Sequence, residues 1–288
     1  MNTTVTPAAP KRSSSVSGLG TYLGLAGALL AMIVLFSAMS SHFLSYNTFT
    51  TLANQIPDLM VLSVGMTLIL IIGGIDLSVG SVLALAASVV SVATLNWGWG
   101  IFPAAALGMV CAALAGTVTG SVTVAWRIPS FIVSLGVLEM ARGLAYQLTD
   151  SRTAYIGDAY GWLSTPFAFG ISPSFIIALL VIAVAHALLT RSVFGRYLVA
   201  IGTNEEAVRL AGINPKPYKL LVFALMGLLA GLAALFQVSR LEAADPNAGA
   251  GLAQIGASEP TKRIITGAVI VVAVVLDTYR SHRAKRRA

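Results

Sequence analysis

One carboxylate, Asp76, stands alone in a long apolar stretch. Residues 59–95 hold no other ionisable side chain. An ionisable residue at membrane depth marks a functional site, because burying its charge is costly. Two roles stay open for this carboxylate. It can accept hydrogen bonds from the first turn of a helix that begins at Leu77, with help from Ser78. It can also contact a polar substrate in a transport pathway.

Glycine residues surround Asp76 in the run Gly73-Gly74-Ile75-Asp76-Leu77-Ser78-Val79-Gly80-Ser81. The apolar stretch is too long for one membrane crossing, which needs about 20 residues. Irregular backbone at membrane depth occurs where protein buries it or where it lines a water-filled cavity. Transport proteins use helices that are broken near the middle of the bilayer. We therefore predict a broken helix around residues 73–81 and a substrate pathway that includes Gly73, Gly74, Asp76, Ser78 and Gly80.

A second pair of charges, Glu139 and Arg142, lies three residues apart inside another apolar segment. This spacing places both side chains on one helical face. Two charges of opposite sign lower each other's cost of burial in a membrane. The pair is therefore either an intrahelical salt bridge near the membrane interface or a part of the substrate pathway.

The segment 202–213 has the pattern of a short charged helix. Asn204 is a good N-cap residue, acidic residues follow it in the first turn, and Gly212 is a stop signal. Glu205 and Arg209 are spaced i,i+4, which favours an ion pair. Such a helix between two spans is either a plain connection or a handle that a cytoplasmic partner grips. The candidate contact residues are Asn204, Glu205, Glu206, Arg209 and Gly212.

The sequence lacks the motifs of nucleotide hydrolysis and of common hydrolases. It contains no Gly-x-x-x-x-Gly-Lys-Ser/Thr phosphate loop, no His-Glu-x-x-His and no Gly-x-Ser-x-Gly. Cys111 is the single cysteine, and the three histidines are far apart in sequence. We therefore expect no enzyme activity, no metal site and no cofactor in this chain.

The elements that position these residues are membrane helices. Hydrophobic residues make up 57% of the chain and charged residues 10%, whereas ordinary soluble domains have about 25% charged residues. This composition predicts an all-α, polytopic transmembrane bundle. About eight spans are expected, at residues 20–40, 59–72, 77–95, 101–125, 130–148, 174–190, 220–238 and 264–276.

Basic residues flank these spans unevenly. With the N-terminus inside, 13 of the 18 Lys and Arg residues fall on the cytoplasmic side, and the positive-inside rule then places both termini in the cytoplasm. The net charge of +7 therefore reflects topology, and we expect no nucleic-acid partner. We expect a disordered cytoplasmic tail at 1–19, a transmembrane domain at 20–279 with a cytoplasmic loop at 191–219, and a basic cytoplasmic tail at 280–288.

The external loop at 151–173 is rich in aromatic residues. Aromatic side chains collect at membrane interfaces, so one interpretation is an interfacial belt. The other interpretation is a docking surface for an external partner. The aromatic residues are Tyr155, Tyr160, Trp162, Phe167 and Phe169.

Pairs of glycines four residues apart occur in three of the expected spans. Such pairs permit close approach of helices in lipid. They indicate packing inside one subunit or, alternatively, dimerisation. The pairs are Gly20 and Gly24, Gly116 and Gly120, and Gly227 and Gly231.

Three motifs together resemble the ribose/xylose/arabinose class of bacterial ABC-importer permeases. They are Gly73 to Ser81, quoted above, then Arg127-Ile-Pro-Ser-Phe-Ile-Val-Ser-Leu-Gly136, and Gly202-Thr-Asn-Glu-Glu-Ala-Val-Arg-Leu-Ala-Gly-Ile213. The resemblance implies an all-helical permease subunit of the bacterial inner membrane that forms a homodimer or a permease pair. It implies cytoplasmic ATPase subunits, which bind ATP and Mg²⁺, and an external sugar-binding protein. It also implies that residues 204–212 form the coupling helix that docks on the ATPase.

The resemblance is interrupted near residue 250. Family members continue after this point with a Gly-rich apolar hairpin of a few tens of residues, whereas Ala250 here is followed directly by Gly251-Leu-Ala-Gln-Ile-Gly256. We interpret the difference as an internal deletion or a gene-model error. Loss of a whole hairpin would preserve the parity of membrane crossings.

Two other functions remain as alternatives. One is an ion-coupled secondary transporter in which Asp76 carries the coupling charge, although no inverted repeat is evident in the sequence. The other is a truncated permease that does not transport and acts only as a binding scaffold. The interruption near residue 250 gives this last interpretation some weight.

Overall fold

The structure is a computed structural model that describes residues 44–167 and 169–247, with scattered positions between 27 and 38. The chain divides into two compact units after Thr51. The first unit contains the start of helix α1 (Tyr46–Gln55), where Ser45 Oγ accepts the Thr48 N–H at 3.2 Å. The predicted tails 1–19 and 280–288 and the predicted span 264–276 lie outside the described residues, as does most of span 20–40.

The described part of the second unit is built almost entirely of helices, as predicted. It also contains a 3₁₀ helix (Gly157–Leu163) and the two-residue strands β1 (Ala154–Tyr155) and β2 (Ala243–Ala244), which pair antiparallel. The α-helices are α2 (Pro57–Ile71), α3 (Val79–Leu95), α4 (Ile101–Trp126), α5 (Ser130–Leu148), α6 (Pro173–Arg191), α7 (Val193–Leu210) and α8 (Lys216–Leu241).

Four of the described helices, α4, α5, α6 and α8, are long and apolar enough to cross a membrane. The number rises to five if α1 and α2 count as one bent span, and α3 and the first part of α7 are shorter apolar helices. The prediction of a polytopic helical bundle is confirmed, while the number of eight crossings stays a prediction. Helix α5 has the predicted bounds, because Pro129 and the Thr149 turn end the apolar run at both sides.

Helix α8 is the most buried of the four long helices, and α4 packs closely against it. A Cβ atom on Gly116 of α4 would lie 2.2 Å from Phe223 O of α8. A Cβ atom on Gly227 of α8 would lie 2.2 Å from Ala112 O of α4. The two backbones therefore touch where both helices carry glycine. Packing within one subunit is confirmed for these pairs.

Helix α2 runs antiparallel to α8 along its whole length. At one end Arg240 donates to Asp58 at 3.0 Å, and at the other end Gly74 lies against Phe223. Helix α3 instead runs parallel to α8, since Thr94 near its C-terminal end meets Tyr160, which also contacts Ser239 of α8. Helices α2 and α3 are therefore both neighbours of α8 and are antiparallel to each other, because the chain reverses direction between them.

The predicted break around residues 73–81 is confirmed in its position, because α2 ends at Ile71 and α3 begins at Val79. Residues 72–78 form a reversal between these two helices, at the end of the bundle. Gly73 ends α2 with a φ of +73°, a conformation that glycine adopts without strain. Apolar residues continue through the reversal and include the half-exposed Ile75 and Leu77. Hydropathy therefore does not mark where α2 ends.

The predicted cytoplasmic loop 191–219 contains more helix than expected. Helix α7 begins at Val193, and Ser192 Oγ caps it by accepting the Gly195 N–H at 3.0 Å. The helix bends at Asn204, whose φ of −158° and ψ of 94° are not helical. The short helix predicted after Asn204 is therefore the second arm of a bent helix.

Candidate functional site at the basic end of the bundle

A cavity of about 710 Å³ opens at one end of the bundle. We call this the basic end and define it as the reversal 72–78, the α4–α5 junction 127–130 and residues 191–219. The cavity brings together two predicted sets of residues. One set is the glycines of the reversal, and the other is the charged helix at 204–212, which we call the handle. Its lining includes Gly73, Gly74, Arg127, Ser130, Glu205, Glu206, Arg209, Gly212, Lys216 and Lys219.

Two serines of α5 fasten the reversal. Ser130 Oγ accepts the Ile75 N–H at 2.8 Å and donates to Ile75 O at 2.9 Å. One turn further along α5, Ser134 Oγ accepts the Leu77 N–H at 3.0 Å. These serines satisfy backbone groups that no regular helix or sheet can pair. Both belong to the motif that follows Arg127, although sequence reasoning assigned them no role.

Asp76 is buried but does not cap the helix in the predicted way. Helix α3 begins at Val79, not at Leu77, and Ser78 is its N-cap residue. Asp76 Oδ1 accepts the Ser78 N–H at 2.8 Å and the Ser78 hydroxyl at 2.6 Å. This is an Asx turn, in which a side chain two residues earlier shapes the entry to the helix. Gly80 follows in the first turn of α3.

Arg142 is directed at α3 rather than along its own helix. Its Nε and Nη2 donate to Ser81 Oγ at 3.1 and 2.9 Å, and its Nη1 is buried without a hydrogen-bond partner in the described part of the chain. Arg142 therefore joins α5 to α3, while the predicted pairing with Glu139 stays a prediction. Glu139 lies half-buried on α5. Because Ser81 lies 61 positions from Arg142 in the sequence, no local pattern predicts this contact.

The second arm of α7 forms the predicted short capped helix. Asn204 Oδ1 accepts the Ala207 N–H at 2.9 Å, which confirms the N-cap. Gly212 ends the helix with a φ of +84°, and this confirms the stop signal. The ion pairs differ from the expected i,i+4 pair. Arg209 binds Glu206 at 2.6 Å, while Glu205 reaches Lys219 of α8 at 2.5 Å.

The first arm of α7 touches the reversal directly. A Cβ atom on Gly202 would lie 1.7 Å from Ile71 O, the last residue of α2. Helix α7 therefore contacts the bundle at two points. Gly202, just before the handle, contacts α2, and Glu205 of the handle pairs with Lys219 of α8. The backbone of α7 is therefore in contact with the end of α2, directly before the reversal.

The opposite end of the bundle is closed by a folded loop. We call it the aromatic end and define it as residues 149–166 and 239–247. Tyr160 is buried there: its hydroxyl donates to Ile101 O at 3.1 Å and lies 3.1 Å from Thr94 Oγ1. The Tyr160 carbonyl accepts the Ser239 hydroxyl at 2.7 Å. Burial raises the pKa of the Tyr160 phenol, and the hydrogen bond to Thr94 opposes this shift.

The two ends carry opposite charge in the described residues. The aromatic end holds Asp150, Arg152, Asp158, Glu242 and Asp245 in addition to Arg240, which is paired with Asp58. The basic end holds six cations and three carboxylates: Asp76, Arg127, Arg191, Arg196, Glu205, Glu206, Arg209, Lys216 and Lys219. Ring contacts of Phe194 and Tyr197 with Tyr218 place the start of α7 at this same end.

Comparison with known proteins agrees with this architecture. Residues 48–257 match the family described as "Branched-chain amino acid transport system / permease component". The chain belongs to this permease family. Its membership confirms the resemblance drawn from the three motifs, which lie within the matched residues.

Several curated relatives of this permease are sugar or signal importers. The ribose import permease protein RbsC of Escherichia coli strain K12 is 36% identical over 234 residues, which cover 78% of this chain and 71% of RbsC. The RbsC of Haemophilus influenzae is 35% identical over 77% of this chain and 70% of that protein. The autoinducer 2 import system permease protein LsrC of Yersinia enterocolitica is 34% identical over 78% of this chain and 62% of LsrC. No solved structure matches the chain significantly.

Proposed function

We propose that this permease is the membrane-spanning subunit of an ABC importer that moves a monosaccharide or a compound of similar size and polarity. The observation that carries the proposal is the charged, capped helix at 204–212, which lines the same cavity as the reversal. Family membership and the similarity to ribose and autoinducer 2 permeases support the substrate class. An external binding protein delivers the solute, and separate ATPase subunits supply the energy.

The charge asymmetry supports the orientation in the inner membrane. The basic end faces the cytoplasm and the aromatic end faces outward, because short basic loops remain on the cytoplasmic side. The handle then stands where an ATPase can reach it. ATP and Mg²⁺ bind to those partner subunits, and two permease copies or a permease pair complete the importer.

The handle residues Asn204, Glu205, Glu206, Arg209 and Gly212 serve the ATPase contact in this proposal. Movement of the handle passes to the reversal through the Gly202 contact with Ile71. The substrate pathway lies along α3 and α5, near the polar contact that Arg142 of α5 makes with Ser81 of α3. Its residues are Gly73, Gly74, Asp76, Ser78, Gly80, Glu139 and Arg142.

Charge reversal in the handle tests the proposal. We expect Glu205→Lys together with Glu206→Lys to abolish copurification with the ATPase and ATP-driven uptake into vesicles, while insertion into the membrane is unchanged. The Glu206 side chain is 59% exposed and pairs within the handle, and the Glu205 side chain is 49% exposed and pairs with Lys219. Lys219→Glu added to the double variant restores this pair with reversed sign, and a loss of ATPase binding that persists there reports on the handle surface rather than on the lost pair. Glu242→Lys, an exposed residue at the other end, is the matched control and keeps the ATPase bound.

Normal copurification and uptake by the double variant would show that the handle is a plain connection. The purified chain alone should also show no ATP hydrolysis. Turnover that follows the chain through purification would overturn the assignment as a subunit. Uptake that depends on an ion gradient and not on ATP would favour the secondary transporter.

A further inference from the structure

Two exposed aromatic side chains stand among carboxylates at the aromatic end. Tyr155 is 77% exposed and Trp162 is 51% exposed. Asp158 and Glu242 are exposed beside them. We define these four residues, Tyr155, Asp158, Trp162 and Glu242, as the acidic aromatic surface. Large aromatic side chains left in the open by a folded loop are typical of surfaces that contact another molecule.

The backbone pairing brings the four residues together from two distant parts of the chain. Tyr155 of β1 is the register partner of Ala243 of β2, which follows Glu242 directly. The Glu242 carbonyl accepts the N–H groups of Ile156 at 2.8 Å and Gly157 at 3.1 Å. Asp158 is the next residue, and Trp162 lies in the same 3₁₀ helix. The paired backbone therefore brings Tyr155, Asp158 and Glu242 together, and Trp162 follows four residues after Asp158 in the 3₁₀ helix.

Hydrogen bonds to neighbouring helices fix the 3₁₀ helix that carries part of this surface. Tyr160 lies in the same 3₁₀ helix and is buried against Thr94 and Ile101. Ser164 Oγ donates to Ser239 O at 3.1 Å and fixes the end of this helix to α8. A surface that is ordered before binding loses less conformational entropy when a partner docks. Such pre-organisation favours recognition of a folded protein.

The charge around the acidic aromatic surface distinguishes a lipid headgroup from a protein as the molecule that contacts it. Asp150 and Asp245 add to the carboxylates of Asp158 and Glu242, and Arg152 is the one cation beside them that the described residues do not pair with a carboxylate. Anionic lipid headgroups would be repelled by these carboxylates, so an interfacial belt is disfavoured. A protein face that carries Lys or Arg is attracted by them and is steered to the patch.

We propose that the acidic aromatic surface is the docking site for a soluble protein whose docking face is basic at its rim and has apolar pockets for Tyr155 and Trp162. The inference rests on the proposed function, in which an external sugar-binding protein delivers the solute. It adds the sign of the charge that this partner carries and the residues that meet it.

Association kinetics in nanodiscs test the inference. The probes are the soluble sugar-binding proteins of the source bacterium, purified and tested one at a time against the full chain in phosphatidylcholine nanodiscs. We expect the association rate to fall by about tenfold or more when salt is raised or when Asp158→Asn and Glu242→Gln are combined. Arg152→Gln should speed association, and Tyr155→Ala or Trp162→Ala should mainly speed dissociation. The thermal unfolding midpoint of each variant, compared with the wild type, reports whether the fold is kept.

Association that is insensitive to salt and to the two neutral substitutions would overturn this inference and leave the proposed function intact. Failure of every binding protein to associate with the wild-type chain at any salt concentration would count against the proposed function itself. A second arm uses a chain in which Trp162 is the single tryptophan. Quenching of its fluorescence by acrylamide, and not by brominated phosphatidylglycerol, supports the docking surface. The reverse result would show a lipid belt and would overturn the inference.

Discussion

Ser130 holds both backbone groups of Ile75 with one hydroxyl. The oxygen accepts the Ile75 N–H at 2.8 Å, and its proton is donated to Ile75 O at 2.9 Å. The reversal between α2 and α3 is therefore bound to the first turn of α5. This turn follows Arg127, which lines the same cavity as the handle. The arrangement makes the reversal a part of the basic end of the bundle.

The two serines that hold the reversal should differ in importance. Ser134 is buried and Ser130 is less so, hence Ser134→Ala leaves the Leu77 N–H without a partner and should cost about 1–3 kcal/mol. Ser130→Ala should cost about 0.5–1.5 kcal/mol, since water can reach the partly exposed position of Ser130 and replace its hydroxyl. Thermal unfolding in detergent, followed by reaction of Cys111 with a thiol dye, measures both. Equal midpoints for the wild type and both variants would contradict the role of these bonds.

The contact between α4 and α8 predicts a strong effect of one methyl group. In Gly227→Ala the new Cβ would lie 2.2 Å from Ala112 O, so the helices must move apart. We expect a loss of about 1–3 kcal/mol in the free energy of unfolding. Gly100→Ala is the matched control, because its Cβ meets nothing closer than Pro103 Cδ at 3.7 Å. Similar unfolding midpoints for the two variants would show that the close approach is not real.

The contact between α7 and α2 makes a separate prediction for coupling. Gly202→Ala places a Cβ 1.7 Å from Ile71 O and must push the handle away from the reversal. We expect reduced ATP-driven uptake with the ATPase still bound, because the handle itself is intact. Thr203→Ala, at the exposed next position, should stay within about 0.5 kcal/mol of the wild type and transport normally. Normal uptake by the Gly202 variant would contradict transmission through this contact.

Local patterns predicted those parts of the fold whose causes are local. The bounds of α5 follow from Pro129 and an apolar run, and the cap at Asn204 follows from residue types within one turn. The glycine pairs of α4 and α8 were recognisable because close approach requires small residues.

Contacts between distant residues were not predictable in the same way. Arg142 and Ser81 are 61 positions apart, and the burial of Tyr160 depends on the ends of α3, α4 and α8. The reversal between α2 and α3 agrees with the two separate spans 59–72 and 77–95, and its signal was the glycine pair rather than hydropathy. Hydropathy measures the total length of an apolar stretch and contains no information on where the chain turns back.

Tyr160 should make the stability of the bundle depend on pH under alkaline conditions. Burial raises its pKa in the folded chain above the ordinary value of 10.0. Above about pH 10 the unfolded chain releases this proton while the folded chain retains it, so the free energy of unfolding falls as pH rises. Below that pH the contribution is fully present. Unfolding midpoints of the wild type and Tyr160→Phe, measured on both sides of about pH 10, compare the two slopes.

The phenylalanine variant should be less stable at neutral pH by about 1–3 kcal/mol, because Ile101 O loses its donor. Its stability should then fall less steeply with rising pH than that of the wild type. Parallel curves for the two proteins would show that Tyr160 does not titrate differently in the folded and unfolded chains.

Asp76 separates an ATP-driven permease from an ion-coupled carrier. Its Oδ1 accepts both the N–H and the hydroxyl of Ser78, and an asparagine oxygen can accept the same two bonds. Asp76→Asn should therefore keep both the fold and ATP-driven uptake. Asp76→Ala should lose about 1–3 kcal/mol, because the buried Ser78 groups lose their acceptor.

Uptake should be measured with the ATPase and the binding protein present, both in this chain and in one that carries the family's Gly-rich hairpin after Ala250, while hydrogen exchange of the reversal reports the fold. An Asp76→Asn variant that stays folded and binds its partners but does not transport would show that the charge itself acts. That result would favour ion coupling, since only a carrier that binds and releases an ion with its substrate needs a titrating carboxylate at this position. Import driven by ATP needs only the turn that Asp76 stabilises at the start of α3.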